Sequence, residues 1–60
     1  MTRIEELRRS TGLSRAAFGR KYNIPIRTLE GWEYEKRQPP EWLPDLLEKA
    51  IAYDKANGEL

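Results

Sequence analysis

Signals that begin and end helices follow one another closely along this 60-residue chain, and they restrict it to short helices. Thr2 and Glu5 have the spacing of a capping box, in which two side chains satisfy free backbone N–H groups at a helix start. Gly12 suits the left-handed residue just past a helix end. The pattern therefore predicts a first helix over about residues 2–11.

The same signals recur twice before the middle of the chain. Ser14 is a good N-cap, and Asn23 tolerates the left-handed conformation that closes a helix. Pro25 suits the first turn of a helix, where its missing N–H group has no cost. A second helix is therefore expected between Ser14 and Asn23, and a third from near Pro25 to about Tyr34.

The last helix is predicted over about residues 40–57, with Gly58 after its end. Pro44 removes one helical hydrogen bond and disfavours the α conformation of the residue before it. We therefore expect a short first turn at 40–43 and a regular helix from about residue 44. Because no segment alternates with period two, strands are not expected, and the predicted fold is a compact all-α four-helix domain.

Apolar residues at helical spacing are the candidate core. Trp42 is ambiguous, because it fits either the edge of the core or a partner interface, where tryptophan is enriched. The residues assigned to the core are Ile4, Leu7, Leu13, Ala17, Phe18, Tyr22, Ile24, Leu29 and Trp32. The last helix adds five apolar residues: Leu43, Leu46, Leu47, Ala50 and Ile51.

Length and composition exclude several classes of protein. The chain is long enough for one domain, residues 1–60. It contains no Cys and no His, which excludes disulfide frameworks, thiolate catalysis and most transition-metal sites. It has no Gly-rich phosphate loop, and no stretch approaches the roughly 20 apolar residues of a membrane span. We therefore expect a cytoplasmic protein that is not an enzyme, uses no cofactor or metal and does not associate with membranes.

The net charge of +1 hides an uneven distribution. Residues 1–37 contain nine Lys or Arg and five Asp or Glu, a balance of +4, whereas residues 38–60 contain two and five, a balance of −3. An excess of cations in the first two-thirds fits an anionic partner there, and it fits an ordinary solvated surface equally well.

The predicted second and third helices, joined by a tight turn, form a candidate helix-turn-helix over about residues 13–34. Such a unit can place its second helix in the DNA major groove. Ala16, Ala17 and Gly19 supply small side chains where the two helices meet. A glycine inside a helix costs roughly 1 kcal/mol relative to alanine, so Gly19 predicts a close approach of the third helix.

Two stretches carry a family resemblance. Residues 13–25 (LSRAAFGRKYNIP) resemble the first half of the Cro/phage-repressor (XRE-type) helix-turn-helix, and residues 28–39 (TLEGWEYEKRQP) resemble its second half. The resemblance covers about residues 4–52 and implies a lambda-repressor-like DNA-binding architecture. It also implies an ion pair between Arg8 in the first helix and Glu33 at the end of the recognition helix.

The resemblance further implies which residues contact DNA. Arg27 is the best candidate for a base contact, because a guanidinium pairs with guanine O6 and N7, and Ile26 offers an apolar surface to a thymine methyl group. Thr28 is expected to reach a phosphate or a base edge. Phosphate contacts are assigned to five further cations and one tyrosine hydroxyl: Arg15, Arg20, Lys21, Tyr34, Lys36 and Arg37.

Three positions depart from the family pattern or complicate it. Gly31 replaces a side chain that often contacts a base, which favours recognition of DNA shape or a close backbone approach. Glu35 stands where the family usually has glycine, and it adds a negative charge beside Lys36 and Arg37. Glu30 either opposes phosphates or accepts a hydrogen bond from a cytosine amino group.

Two functions remain open from the sequence. One is a sequence-specific transcriptional regulator that binds double-stranded DNA as a homodimer, with Trp42, Leu43, Leu47 and Tyr53 as candidate dimer contacts. The other is a helix-turn-helix module that binds a protein partner, as an antitoxin, anti-repressor or assembly adaptor does. Salt distinguishes them, because phosphate-driven binding weakens steeply with ionic strength.

Overall fold

In a computed structural model, which describes residues 2–60, four α-helices follow one another: α1 (Arg3–Thr11), α2 (Arg15–Tyr22), α3 (Ile26–Glu33) and α4 (Leu43–Ala56). No strand occurs among these residues. The all-α four-helix class predicted from the sequence is confirmed. α1 packs against α4 and α3, and α2 packs against α3. None of the helices in the described range is long and apolar enough to cross a bilayer.

Local capping explains where the first two helices begin and end. The Thr2 hydroxyl accepts a hydrogen bond from the Glu5 amide at 3.1 Å, and Ser14 does the same for Ala17 at 3.1 Å. Gly12 closes α1 with φ of 77°, and Asn23 closes α2 with φ of 57°. The expected boundaries therefore agree with the structure to within a residue.

The Thr2 half of the capping box at α1 is present. The Glu5 carboxylate also accepts from Arg9 Nε at 3.1 Å, one helical turn further along. An i, i+4 pair of opposite charges is favourable on a helix surface, and it competes with the reciprocal half of the capping box.

The last helix follows the short turn that the sequence predicted. Residues 40–42 are not helical; the Leu43 amide donates to the Pro40 carbonyl at 3.0 Å and closes a turn there. The expected turn at 40–43 is thus present, and α4 proper runs from Leu43 to Ala56. Pro44 lies in its first turn, where a missing N–H group breaks no helical bond.

The core takes at least one residue from each helix. Ile4, Phe18, Leu29, Leu47 and Ile51 are buried, and Phe18 and Leu29 are fully so. Burying each such side chain stabilises the fold by about 1.5 to 3 kcal/mol. Five partly buried residues surround them, all of them predicted as core: Leu7, Leu13, Tyr22, Ile24 and Trp32.

Two apolar residues of the last segment lie outside the core. Leu46 is 56% exposed, and Trp42 is 62% exposed, which rules out the first of its two interpretations, a place at the edge of the core. Leu46 lies one position before buried Leu47, so a rotation of 100° per residue carries it away from the other helices.

Polar contacts join α4 to the rest of the molecule. Arg3 Nη2 lies 2.8 Å from Asp45 Oδ1, linking α1 to the start of α4. The Tyr22 hydroxyl donates to Asp54 Oδ2 at 2.7 Å, which links α2 to the second half of α4. Burial and this hydrogen bond raise the pKa of Tyr22 above its ordinary value, so the phenol stays protonated and keeps donating.

Candidate nucleic-acid interface

The turn between α2 and α3 spans residues 23–25 and depends on Gly19. The Ile24 amide donates to the Gly19 carbonyl at 2.9 Å. A Cβ atom at position 19 would lie 2.6 Å from the Ile24 carbonyl oxygen, closer than real Cβ contacts come. The close approach predicted at Gly19 is therefore present, but its partner is the backbone of the turn and not helix α3 itself.

A concavity of about 390 Å³ lies along the exposed side of α3 and the segment that follows it. Three cations and one carboxylate line it, giving a formal charge of +2. Six of its seven lining residues were predicted as DNA contacts, and the seventh is the departure Gly31: Arg27, Thr28, Glu30, Gly31, Tyr34, Lys36 and Arg37. The structure thus brings most of the predicted site onto one surface.

Backbone hydrogen bonds hold the two cations after α3 beside the helix. The Gly31 carbonyl accepts from the amides of Lys36 at 2.9 Å and Arg37 at 3.1 Å, so the chain folds back on the last turn. This path requires the left-handed conformation at Glu35, whose φ is 60°. The Arg37 side chain then covers Gly31, because a Cβ at position 31 would lie 3.7 Å from Arg37 Cδ.

Glu33 lies buried between two arginines. Arg8 donates to both of its carboxylate oxygens, at 2.8 and 3.1 Å, and Arg15 Nε donates to Oε1 at 2.8 Å. The Glu33 side chain has no exposed area. Burial by itself raises the pKa of this carboxyl, but the hydrogen bonds and charges of the two arginines outweigh it and leave the pKa below its ordinary value.

Arg15 also contacts Tyr34, a residue of the concavity. Its guanidinium carbon lies 5.1 Å from the centre of the Tyr34 ring, within the range of a cation–π interaction. The sequence implied a pair between Arg8 and Glu33 and a phosphate-contacting Arg15, but it gave no sign that Arg15 shares the same carboxylate. Eighteen residues separate Arg15 from Glu33, so no local spacing could indicate it.

Three predicted DNA-contacting residues lie elsewhere. Ile26, 45% exposed, and Arg20 line a second concavity of about 470 Å³ along the turn between α2 and α3. Lys21 Nζ lies 3.8 Å from Asp54 Oδ2 and 5.8 Å from the centre of the Tyr22 ring. Lys21 is therefore engaged at the contact between α2 and α4, away from the α3 concavity.

The candidate dimer contacts are not all on the surface. Leu47 is 4% exposed and belongs to the core, so it was wrongly assigned to a partner interface. Leu43 is half-buried. Trp42 and Tyr53 are 62% and 66% exposed, and Leu46 lies on the same side of α4 because these positions are four and seven residues apart.

No protein-family model, curated protein or solved structure matches this chain. Among residues 2–60, no group of three or more His, Cys, Asp or Glu residues is placed to hold a metal ion. The chemistry of the α3 concavity is that of a cationic surface with hydroxyl and guanidinium donors, which suits an anionic ligand carrying hydrogen-bond acceptors.

Proposed function

We propose that this protein is a sequence-specific DNA-binding transcriptional regulator of the Cro/phage-repressor type, acting in the cytoplasm with α3 in the DNA major groove. The observation that carries the proposal is the α3 concavity, in which Arg27, Thr28, Lys36 and Arg37 lie together. The helix–turn–helix arrangement of α2 and α3 and the resemblance of residues 13–39 support it.

Within this proposal, residues of α3 recognise bases. Arg27 pairs with guanine through O6 and N7, and Thr28 and Glu30 contact neighbouring base edges. Ile26, exposed at the start of α3, contacts a thymine methyl group. Arg15, Tyr34, Lys36 and Arg37 bind phosphates and set the register. Arg20 contributes at the edge of the site, and Lys21, held by Asp54, contributes least.

One domain of this size makes few contacts, so we propose that two copies bind a two-fold symmetric operator. Their half-sites are then about 34 Å apart, one turn of the DNA helix, or a multiple of that distance. The exposed residues of α4 are the available candidates for the contact between copies.

Fluorescence anisotropy with short duplexes tests this function. The protein is titrated into a duplex selected from a random pool and into a random-sequence duplex, at low and at physiological salt. We expect tight, salt-dependent binding to the selected sequence, and Arg27→Ala is expected to weaken it by about 1 to 3 kcal/mol while relaxing specificity at one base pair. Arg9→Ala is the matched control, because Arg9 is an exposed cation of α1 paired with Glu5.

Equal, weak binding to both duplexes that disappears at physiological salt would contradict the regulator proposal. Loss of specific binding in Arg9→Ala as well as Arg27→Ala would show that charge alone, and not α3, determines affinity.

A protein-interaction module is the second candidate, and the exposed side chains of Trp42, Leu46 and Tyr53 favour it. Large apolar groups grouped on one surface are a common mark of a protein contact. If the protein acts this way, Trp42→Ser abolishes partner binding that is insensitive to salt, and Arg27→Ala leaves it unchanged. Pull-down with the two variants in parallel, at low and high salt, separates the two functions.

A further inference from the structure

Two arginines share the Glu33 carboxylate, and they use their donors differently. Arg8 donates from Nε and Nη2 to Glu33 and from Nη1 to the Leu13 carbonyl at 3.1 Å. Its side chain is 11% exposed. All three nitrogens of Arg8 therefore have partners inside the protein, and its role is structural.

Arg15 is held by one nitrogen only. Among the contacts of residues 2–60, its side chain makes a single hydrogen bond, from Nε to Glu33, which leaves both Nη groups as donors. A third of its side chain is exposed. Because two cations surround one carboxylate, the three groups together carry a formal charge of +1, and their remaining donors are the Nη groups of Arg15.

Tyr34 restricts Arg15 from a second direction. The guanidinium lies over the Tyr34 ring at 5.1 Å, and Tyr34 in turn lines the α3 concavity. A long arginine side chain normally loses rotamer freedom when it binds a ligand, which weakens binding about two- to tenfold. Here the contacts with Glu33 and Tyr34 have already removed much of that freedom.

We infer that Glu33 and the Tyr34 ring are positioning residues for Arg15, and that they hold its two Nη groups ready for one phosphate at the edge of the α3 concavity. The inference rests on the proposed function, because it names the phosphodiester backbone as the ligand. It gives Glu33 a role beyond its pair with Arg8, and it gives the Tyr34 ring a role separate from that of its hydroxyl.

Replacing Arg15 by lysine separates the effect of the held guanidinium position from the effect of the positive charge. Lysine keeps the charge but has neither an Nε donor at that place nor a planar group to lie over a ring. We expect Arg15→Lys to bind the selected duplex about two- to tenfold more weakly than wild type, with an unchanged dependence on salt. Arg15→Ala is expected to lose the charge as well, and the slope of log K against log salt falls by about 0.9.

Tyr34 provides the second pair of variants. Tyr34→Phe keeps the ring and removes the hydroxyl, whereas Tyr34→Leu removes the ring from a residue that is 55% exposed and outside the core. We expect Tyr34→Leu to bind about two- to fivefold more weakly than Tyr34→Phe. In an Arg15→Lys background this difference disappears, because the ring then has no guanidinium to hold.

NMR of the free protein reports the position of Arg15 without DNA. The Arg15 Nε–H resonance is expected to be shifted and protected from exchange relative to that of exposed Arg27, with contacts to the Tyr34 ring protons. An Arg15 signal equivalent to that of Arg27 overturns the inference. Equal affinity of wild type and Arg15→Lys for the selected duplex, where wild type binds DNA, also overturns the inference. If wild type binds no duplex, the proposed function fails and this inference fails with it.

Discussion

At the residue scale, Glu35 lowers the stability of the fold through its backbone conformation, and its negative charge weakens the attraction for an anionic ligand. Its φ of 60° is in the left-handed region, which non-glycine residues avoid at a cost of about 1 to 2 kcal/mol. Its carboxylate also directly precedes Lys36 and Arg37, two of the three cations that line the α3 concavity. The backbone bonds to Gly31 keep the conformation in place despite its cost.

Two substitutions separate these costs. Glu35→Asn is expected to raise the free energy of unfolding by up to about 1 kcal/mol, because asparagine tolerates positive φ. Glu35→Gln removes the charge but retains the strain, so we expect no change in stability. Both variants are expected to bind DNA more tightly and to the same extent. Urea unfolding and anisotropy measure the two properties, and a stability gain in Glu35→Gln equal to that in Glu35→Asn would refute the assignment.

The Glu33 carboxyl gives a pH dependence with a defined sign. Its pKa is lowered in the folded protein, so its contribution to stability is complete above the ordinary glutamate pKa of 4.5 and is lost as pH falls through the lowered folded value. An NMR titration of the Glu33 side-chain carboxyl carbon is expected to show a midpoint below the ordinary glutamate pKa of 4.5. A midpoint at or above 4.5 would mean that burial outweighs the two arginines.

At the element scale, the turn between α2 and α3 depends on its glycine, Gly19, whereas the end of α3 does not depend on Gly31. Gly19 is needed because the Ile24 carbonyl occupies the space of its Cβ, whereas the space at Gly31 borders only the flexible side chain of Arg37. Helix propensity alone favours alanine at both positions by about 1 kcal/mol, so the packing determines the difference.

The matched substitutions are therefore expected to have opposite effects. Gly19→Ala should lower the free energy of unfolding by about 1 to 3 kcal/mol, since the turn backbone has to move. Gly31→Ala should raise it by about 0.5 to 1 kcal/mol, since a methyl group 3.7 Å from Arg37 makes an ordinary contact. Urea unfolding of the two variants measures both, and a stabilised Gly19→Ala would disprove the role given to the Ile24 carbonyl.

At the scale of the whole molecule, charge is divided between the two parts of the chain. The cations of residues 1–37 include those of the α3 concavity, whereas residues 38–60, which contain α4, hold the acidic excess and the exposed Trp42, Leu46 and Tyr53. An anionic ligand is therefore attracted to the α3 side.

Two charge-matched double variants test this division. Lys36→Gln with Arg37→Gln and Lys49→Gln with Lys55→Gln each lower the net charge by two. We expect the first pair to weaken DNA binding and to reduce the salt slope by about 1.8, because two phosphate contacts are lost. The second pair, on α4, is expected to leave the slope unchanged. Equal effects would indicate that net charge, and not the α3 concavity, drives binding.

The sequence by itself determined the features that depend on neighbours within three or four residues. The caps at Thr2 and Ser14 and the left-handed ends at Gly12 and Asn23 are bonds between a residue and its own helix, so their positions were predictable. The helical class and most of the core followed from the same local patterns.

Only the tertiary structure decided which groups meet across the chain. Arg15 joins Glu33 from 18 residues away, and the Ile24 carbonyl, not a helix, faces Gly19. Leu46 is exposed while adjacent Leu47 is buried. These outcomes depend on how α1, α3 and α4 pack. The packing decides which side of each helix is covered by the other helices and which side stays exposed.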